Sequence, residues 1–297
     1  MYSPKFTISN SILKNIGRIE ASREIIENAP LVPAYEAKFR QEAVIRTVHH
    51  GTHIEGNQLD TGEVKAVLEG EEVSARDRDI QEVLNYRRVL AYIDRKSKQI
   101  GERDLLAIHK LTVDKVLRPE QSGKYRTTQV LVKNSKTGEV SFKPPSPDQV
   151  RNLSRAFFEW LSSEKSIDVH PVLAAGVAHY VLAYIHPFVD GNGRASRALA
   201  TMVLFTRGYD IKKFFSLEEY FDRNAKRYYE TLQAVSDQKE ELTDKDLTVW
   251  LEYFCEGLAE ELDRVKERVR KLSLDSKLKG RTGQIALSER QLKLVEY

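Results

Sequence analysis

The chain contains 297 residues, of which 41% are hydrophobic and 31% are charged, and its formal net charge is +3. This length supplies enough apolar side chains for one large domain or two, and so mild a charge gives no reason to expect nucleic acid as a partner of this chain. The single cysteine, Cys255, excludes an internal disulfide, and the lack of a signal peptide or a bilayer-spanning apolar run makes us expect a cytoplasmic protein without a membrane partner.

The first two elements are predicted to be helices. The first is capped by Ser9 or Asn10 and ends before Pro30. Its apolar stripe has helical spacing and consists of Ile12, Ile16, Ile19 and Ile26. The second helix runs from about Tyr35 and ends near Gly56.

Glu55 therefore falls in the last turn of the second predicted helix. A carboxylate there faces the negative end of the helix dipole, which is unfavourable unless a cation lies close. The i, i+4 spacing of His49 and His53 could suggest zinc, but no cysteine lies near and Gly51 separates the two histidines, so we expect no metal there.

Two further helices are predicted at residues 75–97 and 102–117. The sequence then becomes β-prone over residues 123–132, has turn residues at 134–138 and returns to a strand pattern at 140–142. These three segments together predict a β-hairpin.

A helix starting at Pro147 leads to the most distinctive part of the chain. Two apolar runs, at residues 172–185 and 198–205, are predicted to be buried helices. Residues 186–197 lie between them and bring together a histidine, a carboxylate, a Gly-Asn-Gly turn and two arginines. This segment is predicted to be a loop that leads into the second buried helix.

The ends of the two buried helices follow from the loop residues. Pro187 disfavours helical geometry at His186, so the first helix ends there and leaves the imidazole on the loop. Gly191 and Gly193 allow a tight turn, and the second helix is expected to begin near Asn192 or Gly193.

An anion site is predicted at the start of that second helix, because its free N–H groups and its dipole favour negative charge. Arg194 and Arg197 lie in its first turns and can bind phosphate oxygens with forked donors. Asp190 suits a magnesium ion that also contacts substrate phosphates, and His186 can accept a proton near neutral pH. These residue types together predict a site for a polyphosphate.

Helical patterns continue beyond the loop. Residues 273–283 are polar and contain glycine, which predicts a linker. Residues 285–297 look like the cap and first helix of a further domain, with Ser288 and Gln291 spaced as a capping box. Before this linker, apolar residues at helical spacing form a stripe that should pack on the rest of the domain or on another chain. The stripe contains Leu247, Leu251, Phe254, Leu258, Leu262, Val265 and Val269.

Residues 186–197 resemble the signature of the Fic (filamentation induced by cAMP) family, His-x-Phe-x-Asp/Glu-Gly-Asn-Gly-Arg-x-x-Arg, at every fixed position. The resemblance implies transfer of AMP from ATP to a hydroxyl side chain of a target protein, with pyrophosphate leaving. It implies that His186 deprotonates the attacking Ser, Thr or Tyr, that Asp190 holds Mg²⁺ and that Phe188 anchors the loop. The implied phosphate-binding residues are Gly191, Asn192, Gly193, Arg194 and Arg197.

Other segments also resemble parts of this family. Residues 51–57 resemble its inhibitory motif, Ser/Thr-x-x-x-Glu-Gly/Asn, which implies that Glu55 pairs with Arg197 and blocks the γ-phosphate. Gly51 replaces the motif's hydroxyl residue, which leaves the strength of the inhibition open. The hairpin resembles a flap that docks the target by strand addition. The implied flap residues are Thr127, Thr128, Gln129 and Val130. Residues 220–229 resemble the family's helix on the adenosine side, which implies nucleoside contacts at Asn224, Tyr228 and Tyr229.

The sequence therefore predicts an all-α fold with a Fic-type helical core and a small β-hairpin flap. We expect an N-terminal helical region with the inhibitory helix at residues 1–95, the core at 96–236 and a C-terminal helical extension at 237–275. Residues 276–297 are expected to be a linker and the start of what could be a truncated winged-helix segment. The predicted function is Mg²⁺-dependent, autoinhibited adenylylation of an unidentified target protein, with ATP as co-substrate.

Several alternatives stay open. Transfer of another nucleotide or of a phosphate-containing group is retained as an alternative function, because the signature residues distinguish phosphates better than bases. Relatives that transfer a phosphate alone have a lysine in place of the second glycine of the signature. This chain keeps that glycine, Gly193, which is unlike the phosphate-transferring relatives. A regulatory binding module with a vestigial nucleotide site is retained as a candidate of another class. The sequence does not decide self-modification, homo-oligomer formation or removal of AMP.

Overall fold

The computed structural model describes residues 2–96, 99–133 and 140–279, most of which are helical. In chain order the helices are α1 (Asn10–Glu27), α2 (Pro33–His53), α3 (Thr61–Glu69), α4 (Asp77–Asp94), α5 (Glu102–Thr112), α6 (Pro147–Leu161), α7 (Glu164–Ile167), α8 (Pro171–Ile185), α9 (Asn192–Thr206), α10 (Leu217–Arg223), α11 (Ala225–Ser236) and α12 (Thr248–Lys279). Two short strands, β1 (Val132–Lys133) and β2 (Val140–Phe142), lie between α5 and α6. The predicted all-α class with a small hairpin is confirmed.

Several helix limits follow signals that are readable in the sequence. The Ser9 side chain accepts a hydrogen bond from the N–H of Ile12 at 3.2 Å and caps α1. The helices predicted at residues 75–97 and 102–117 are observed as the shorter α4 and α5. The prediction missed α3, because nine residues are too few for an apolar period to stand out.

Helix α2 ends earlier than predicted, at His53. Gly56 adopts a φ of +95°, and the N–H of Asn57 donates to the carbonyl of Thr52 at 3.3 Å, as in a Schellman ending. Glu55 therefore lies in the turn that terminates the helix, which corrects its predicted place in the last helical turn.

The predicted hairpin is much reduced. Strands β1 and β2 pair antiparallel, but residues 123–131, predicted to form most of the first strand, adopt turns, bends and extended chain. The N–H of Arg126 donates to the carbonyl of Pro187 at 2.9 Å, so this segment bonds to the loop before α9 instead of a neighbouring strand. The predicted turn at residues 134–138 lies outside the described residues.

Residues 220–229, which the family resemblance implied to be one helix, are split between α10 and α11. At the break Asn224 has φ −133° and ψ 57°, and its side chain accepts a hydrogen bond from the N–H of Arg227 at 3.3 Å. An asparagine that caps a new helix competes with continuation of the previous one, which explains the interruption.

The core is built around α8 and α9, which pack against each other. Helix α12 packs against α1, α8, α10 and α11, and the indole N–H of Trp250 donates to the carbonyl of Gly176 on α8 at 2.8 Å. The predicted apolar stripe of α12 is therefore covered by this chain. Its buried members are Leu247, Leu251, Phe254, Leu258, Leu262, Val265 and Val269.

Helix α12 extends to Lys279, so the linker predicted to begin at residue 273 or 276 is wrong over that stretch. The helix predicted at residues 285–297 lies outside the described residues. None of the described helices combines the length and the apolar character needed to cross a membrane.

Two helical glycines provide a matched test of core packing. A Cβ on Gly257 of α12 would lie 2.5 Å from Cδ1 of Tyr220, whereas a Cβ on the exposed Gly17 of α1 would meet nothing within 4 Å. We expect Gly257→Ala to lower the free energy of unfolding by about 1 to 3 kcal/mol through overpacking. Gly17→Ala should raise it by up to about 1 kcal/mol through helix propensity. Urea unfolding would measure both, and equal stabilisation by the two substitutions would contradict the packing described here.

Candidate active site

The imidazole of His186 lies at the junction of α8 and the following loop. His186 ends α8 with φ 50° and ψ 58°, a left-handed conformation that turns the chain out of the helix. Its Nδ1 lies 3.2 Å from the carbonyl of Ala183, which can only accept, so Nδ1 carries the proton and Nε2 is left as the acceptor. Burial lowers the pKa of His186 from its ordinary value of 6.5, so the ring is a neutral base at pH 7.

Arg126 holds the main chain on either side of this histidine. Its Nε donates to the carbonyl of His186 at 2.8 Å, and its backbone N–H donates to that of Pro187. The same guanidinium donates to the carbonyls of Thr128 and Pro145 at the base of the predicted flap. Sequence reasoning noted the segment that contains Arg126 but gave the residue no role.

The interior of the loop is braced by Asn192 and His109. The Asn192 amide donates to the carbonyl of Phe188 and accepts from its N–H, both at 2.9 Å. The buried ring of Phe188, the residue implied to anchor the loop, stacks on His109 with ring centres 3.7 Å apart. The resemblance implied that the Asn192 side chain binds phosphate, whereas its amide is occupied by the loop.

His109 is a second residue that the sequence did not reveal. Its Nε2 lies 3.0 Å from the carbonyl of Asp190, and its Nδ1 accepts the N–H of Gly123 at 3.0 Å. Burial lowers the pKa of His109 to about 4, which keeps the ring neutral and able to both donate and accept. The one available signal was a histidine in the last turn of an amphipathic helix, which more often indicates core packing.

Asp190 presents its carboxylate to solvent just before α9, with 37% of the side chain exposed. Its Oδ1 accepts the N–H of Gly191 at 2.6 Å, and Oδ2 accepts from Arg78 at 3.2 Å. Within the described part of the chain, no group of three or more His, Cys, Asp or Glu side chains could hold a metal ion alone. A single exposed carboxylate fits Mg²⁺, which usually completes its shell with waters and substrate phosphates.

The start of α9 forms an open cradle. The first N–H groups of any α-helix have no intrahelical acceptor. Gly191, which precedes α9 with φ +77°, has no side chain that could cap them. A Cβ on Gly193 would lie 2.1 Å from Oε1 of Glu55, so the glycine leaves room for a negatively charged group directly against the backbone. Both features favour an anion at this point.

The two arginines of the loop segment are almost completely buried at this helix start, each 2% exposed. Arg194 Nη1 lies 3.1 Å from Oε1 of Glu82, and Arg197 Nη2 donates to Oε1 of Glu55 at 2.8 Å. Among the described residues, Arg194 Nε and Arg197 Nε and Nη1 find no acceptor in hydrogen-bonding geometry. Buried donors without acceptors are costly, so the oxygens of a bound polyphosphate would suit them.

The Glu55–Arg197 contact implied by the sequence resemblance is present in the structure. Burial alone would lower the pKa of Arg197, but the facing Glu55 carboxylate raises it above its ordinary value. The carboxylate lies against Gly193, so Glu55 itself occupies the anion cradle.

Gly51, which replaces the hydroxyl residue of the inhibitory motif, is required by its surroundings. A Cβ at this position would lie 2.5 Å from Cε1 of Tyr86, whose hydroxyl donates to Glu218 at 2.9 Å. The carbonyl of Gly51 also accepts from Arg197 at 2.9 Å. The close approach of the Tyr86 ring thus provides the packing at this end of α2.

The three residues expected at the nucleoside have different surroundings. Tyr228 is buried, with its hydroxyl 2.9 Å from Nε2 of His179, and the Asn224 side chain caps α11. Tyr229 is 48% exposed, and its hydroxyl donates to the carbonyl of Ile54 beside the Glu55 turn. Only Tyr229 of the three presents a large exposed ring near the cradle.

The four residues expected to dock a target lie outside the strands. Thr127, Thr128 and Gln129 are exposed and Val130 is partly buried. The Gln129 amide donates to the carbonyl of Pro144 at 3.0 Å, which ties this segment to the chain that returns from β2.

Comparisons with known proteins agree with the geometry. A sequence model of the Fic/DOC family matches residues 99–204, which include the whole loop but not Glu55. The protein adenylyltransferase Fic of Culex quinquefasciatus is 32% identical over 233 residues, or 75% of this chain and 43% of the relative. That of Drosophila grimshawi is 37% identical over 175 residues, or 57% of this chain and 35% of the relative. The chain thus spans less than half the length of these curated relatives.

Solved structures show the same fold. A Fic family protein from Desulfovibrio desulfuricans G20 superposes with a TM-score of 0.76 at 27% identity, covering 90% of this chain and 77% of that protein. The C. elegans protein Fic-1, residues 134–508, superposes with a TM-score of 0.68 at 24% identity, covering 89% and 74%, and this likeness supports the fold alone. Taken with the loop and its buried arginines, these matches show that the chain belongs to the Fic/DOC family.

Proposed function

We propose that this protein is a Fic-type adenylyltransferase, which moves AMP from ATP to a Ser, Thr or Tyr hydroxyl of a target protein. The observation that carries the proposal is the placing of a neutral histidine with a free Nε2 beside an anion cradle that contains two buried arginines. The relatives named protein adenylyltransferase support the same activity.

In the proposed reaction, Nε2 of His186 takes the proton of the target hydroxyl as its oxygen bonds to the α-phosphorus of ATP. The bond from the α-phosphorus to the bridging oxygen breaks, and pyrophosphate leaves. General-base catalysis of this kind contributes about 10²- to 10⁴-fold to a rate. The left-handed turn at His186 and the hold of Arg126 on its carbonyl keep the base in place.

The phosphates would be bound by the first amides of α9 and by the free donors of Arg194 and Arg197. Asp190 would hold Mg²⁺, which, when bound, would neutralise phosphate charge. An extended peptide of the target could pair its backbone with residues 127–130, of which the first three are exposed. Correct orientation of the two reactants is worth about 7 to 11 kcal/mol.

Autoinhibition by Glu55 is part of the proposal. Its carboxylate takes up one Arg197 donor and lies against Gly193, the place that a terminal phosphate would need. Two anions cannot share this small, largely buried space without strong repulsion. ATP would therefore bind in a productive form only after Glu55 has moved.

A second candidate is transfer of a different nucleotide. Tyr228 and Asn224 are engaged in bonds within the fold, so the phosphate cradle is better defined than any base pocket. Competition of unlabelled UTP, CTP and GTP with ATP would decide between the nucleotides.

Substitution of the inhibitory glutamate is the first test. Glu55→Gly should raise incorporation of α-labelled AMP about 5- to 150-fold, the usual range for a coupling of 1 to 3 kcal/mol, because it empties the cradle. Label on the protein itself and in a cell extract would be followed with Mg²⁺ present. Glu55→Gln is the matched control, since it keeps the shape and removes the charge, and it should give an intermediate rate. Equal label on wild type and Glu55→Gly would contradict autoinhibition.

The catalytic histidine is tested in the Glu55→Gly background. Adding His186→Ala should reduce label transfer by about 10²- to 10⁴-fold, because the base is lost. ATP binding measured by calorimetry should be unchanged, since the phosphate donors are intact. Transfer at an undiminished rate would mean that another group removes the proton.

The lowered pKa of His186 also predicts a pH profile. The base must be neutral to act, and burial moves its pKa below 6.5, so protonation should reduce the rate only below that pH. We expect the transfer rate of Glu55→Gly to be flat from pH 7 to pH 8.5 and to fall on the acid side of about 6.5. A fall that begins above pH 7 would show that the ring is not held in its neutral form.

A further inference from the structure

Helix α4 faces the loop with a charged pair, Arg78 and Glu82. Arg78 donates from Nε to Oε1 of Glu82 at 3.1 Å and from Nη2 to Oδ2 of Asp190 at 3.2 Å. Oε1 of Glu82 lies 3.1 Å from Nη1 of Arg194, whose Nη2 lies 3.7 Å from Oδ1 of Asp190. The four side chains form a closed ring in which the two charges alternate.

The ring occupies the carboxylate that is expected to hold the metal. Oδ1 of Asp190 accepts the N–H of Gly191, so Oδ2, bound to Arg78, is the oxygen best placed to take a cation from solvent. A guanidinium and a divalent cation repel each other and compete for the same lone pairs. Metal binding at Oδ2 therefore requires Arg78 to move.

Arg78 is suited to move, and Arg194 is not. The Arg78 side chain is 59% exposed, whereas that of Arg194 is 2% exposed. When Arg78 leaves Asp190 it keeps Glu82 as a partner, so no charge is stranded. Exposed pairs of this kind contribute only about 0.2 to 1 kcal/mol, which a dication can overcome.

We propose that Arg78 competes with the divalent cation for Asp190 and so sets the Mg²⁺ concentration at which the site loads. The inference rests on the proposed function, because that function implies the metal. It makes Arg78 a positioning residue, which acts on the metal through Asp190 and does not touch the reacting atoms.

The test measures ligand affinity without turnover. The dissociation constant of ADP would be determined by calorimetry at a series of free Mg²⁺ concentrations and also in EDTA. Arg78→Gln should lower the Mg²⁺ midpoint about two- to fivefold, and the difference should shrink at high ionic strength. Arg78→Lys, which keeps the charge, should return the midpoint towards wild type. The ADP affinity in EDTA should be the same in all three proteins.

Arg88→Gln is the matched control. Arg88 also lies on α4 and pairs with a half-exposed aspartate, Asp114, at 2.6 Å, with side-chain exposures of 50% and 39% against 59% and 37% for Arg78 and Asp190. Among the described residues, no hydrogen bond or ion pair joins the side chains of this pair to the loop, so Arg88→Gln should leave the Mg²⁺ midpoint unchanged.

An unchanged or higher midpoint in Arg78→Gln would overturn the proposal. Weaker ADP binding by Arg78→Gln in EDTA would also overturn it, because Arg78 would then be a phosphate ligand. Asp190→Asn should abolish the effect of Mg²⁺ on ADP binding, and no such effect in wild type would remove the metal site and the inference with it. Label transfer by Glu55→Gly tests the proposed function separately, so the two failures can be told apart.

Discussion

Two buried guanidinium groups lie at the N-terminus of α9, where the helix dipole already places a partial positive charge. Such a concentration of positive charge is stable only if carboxylates or a bound anion compensate it. The compensation comes from separate parts of the chain: Glu55 after α2, Glu82 on α4 and Asp190 on the loop. The packing of α2 and α4 against α9 thus satisfies an electrostatic requirement in addition to an apolar one.

The loop before α9 is held by two neutral side chains and one arginine, none of which belongs to the anion cradle. The Asn192 amide and the His109 ring bond to its backbone from inside, and Arg126 binds the carbonyl of His186 from the side of the predicted flap. Because Arg126 also bonds to the carbonyl of Thr128, the base proposed at His186 and the segment expected to dock a target share one anchor. A rigid link of this kind fixes the attacking group relative to the base.

Local signals allowed much of this to be predicted from the sequence. Patterns within a few neighbouring positions were enough to predict the start of α9 near Asn192 and the apolar stripe of α12. The same is true of the loop between α8 and α9. The all-α class followed from the same periodicity.

The roles of His109, Arg126 and Arg78 depend on residues that are 60 or more positions away. No local sequence pattern indicates contacts over such distances, so these roles could not be predicted. The strand predicted over residues 123–132 is reduced to its last residue for the same reason, because the N–H of Arg126 bonds to the carbonyl of the distant Pro187. The break at Asn224 was readable in principle, since asparagine favours helix starts, but the resemblance to a single helix of the family directed the prediction.

The carbonyl of Gly51 binds Arg197 independently of Glu55. If the Glu55 carboxylate leaves, as the proposed function requires, the Arg197 guanidinium still donates to this carbonyl. Helix α2 would then keep its place against α9. Relief of the proposed inhibition would then need only a change of the Glu55 side-chain rotamer. The inhibited and active forms of the proposal would share one backbone and differ mainly in which anion fills the cradle, so relief of inhibition would follow nucleotide concentration.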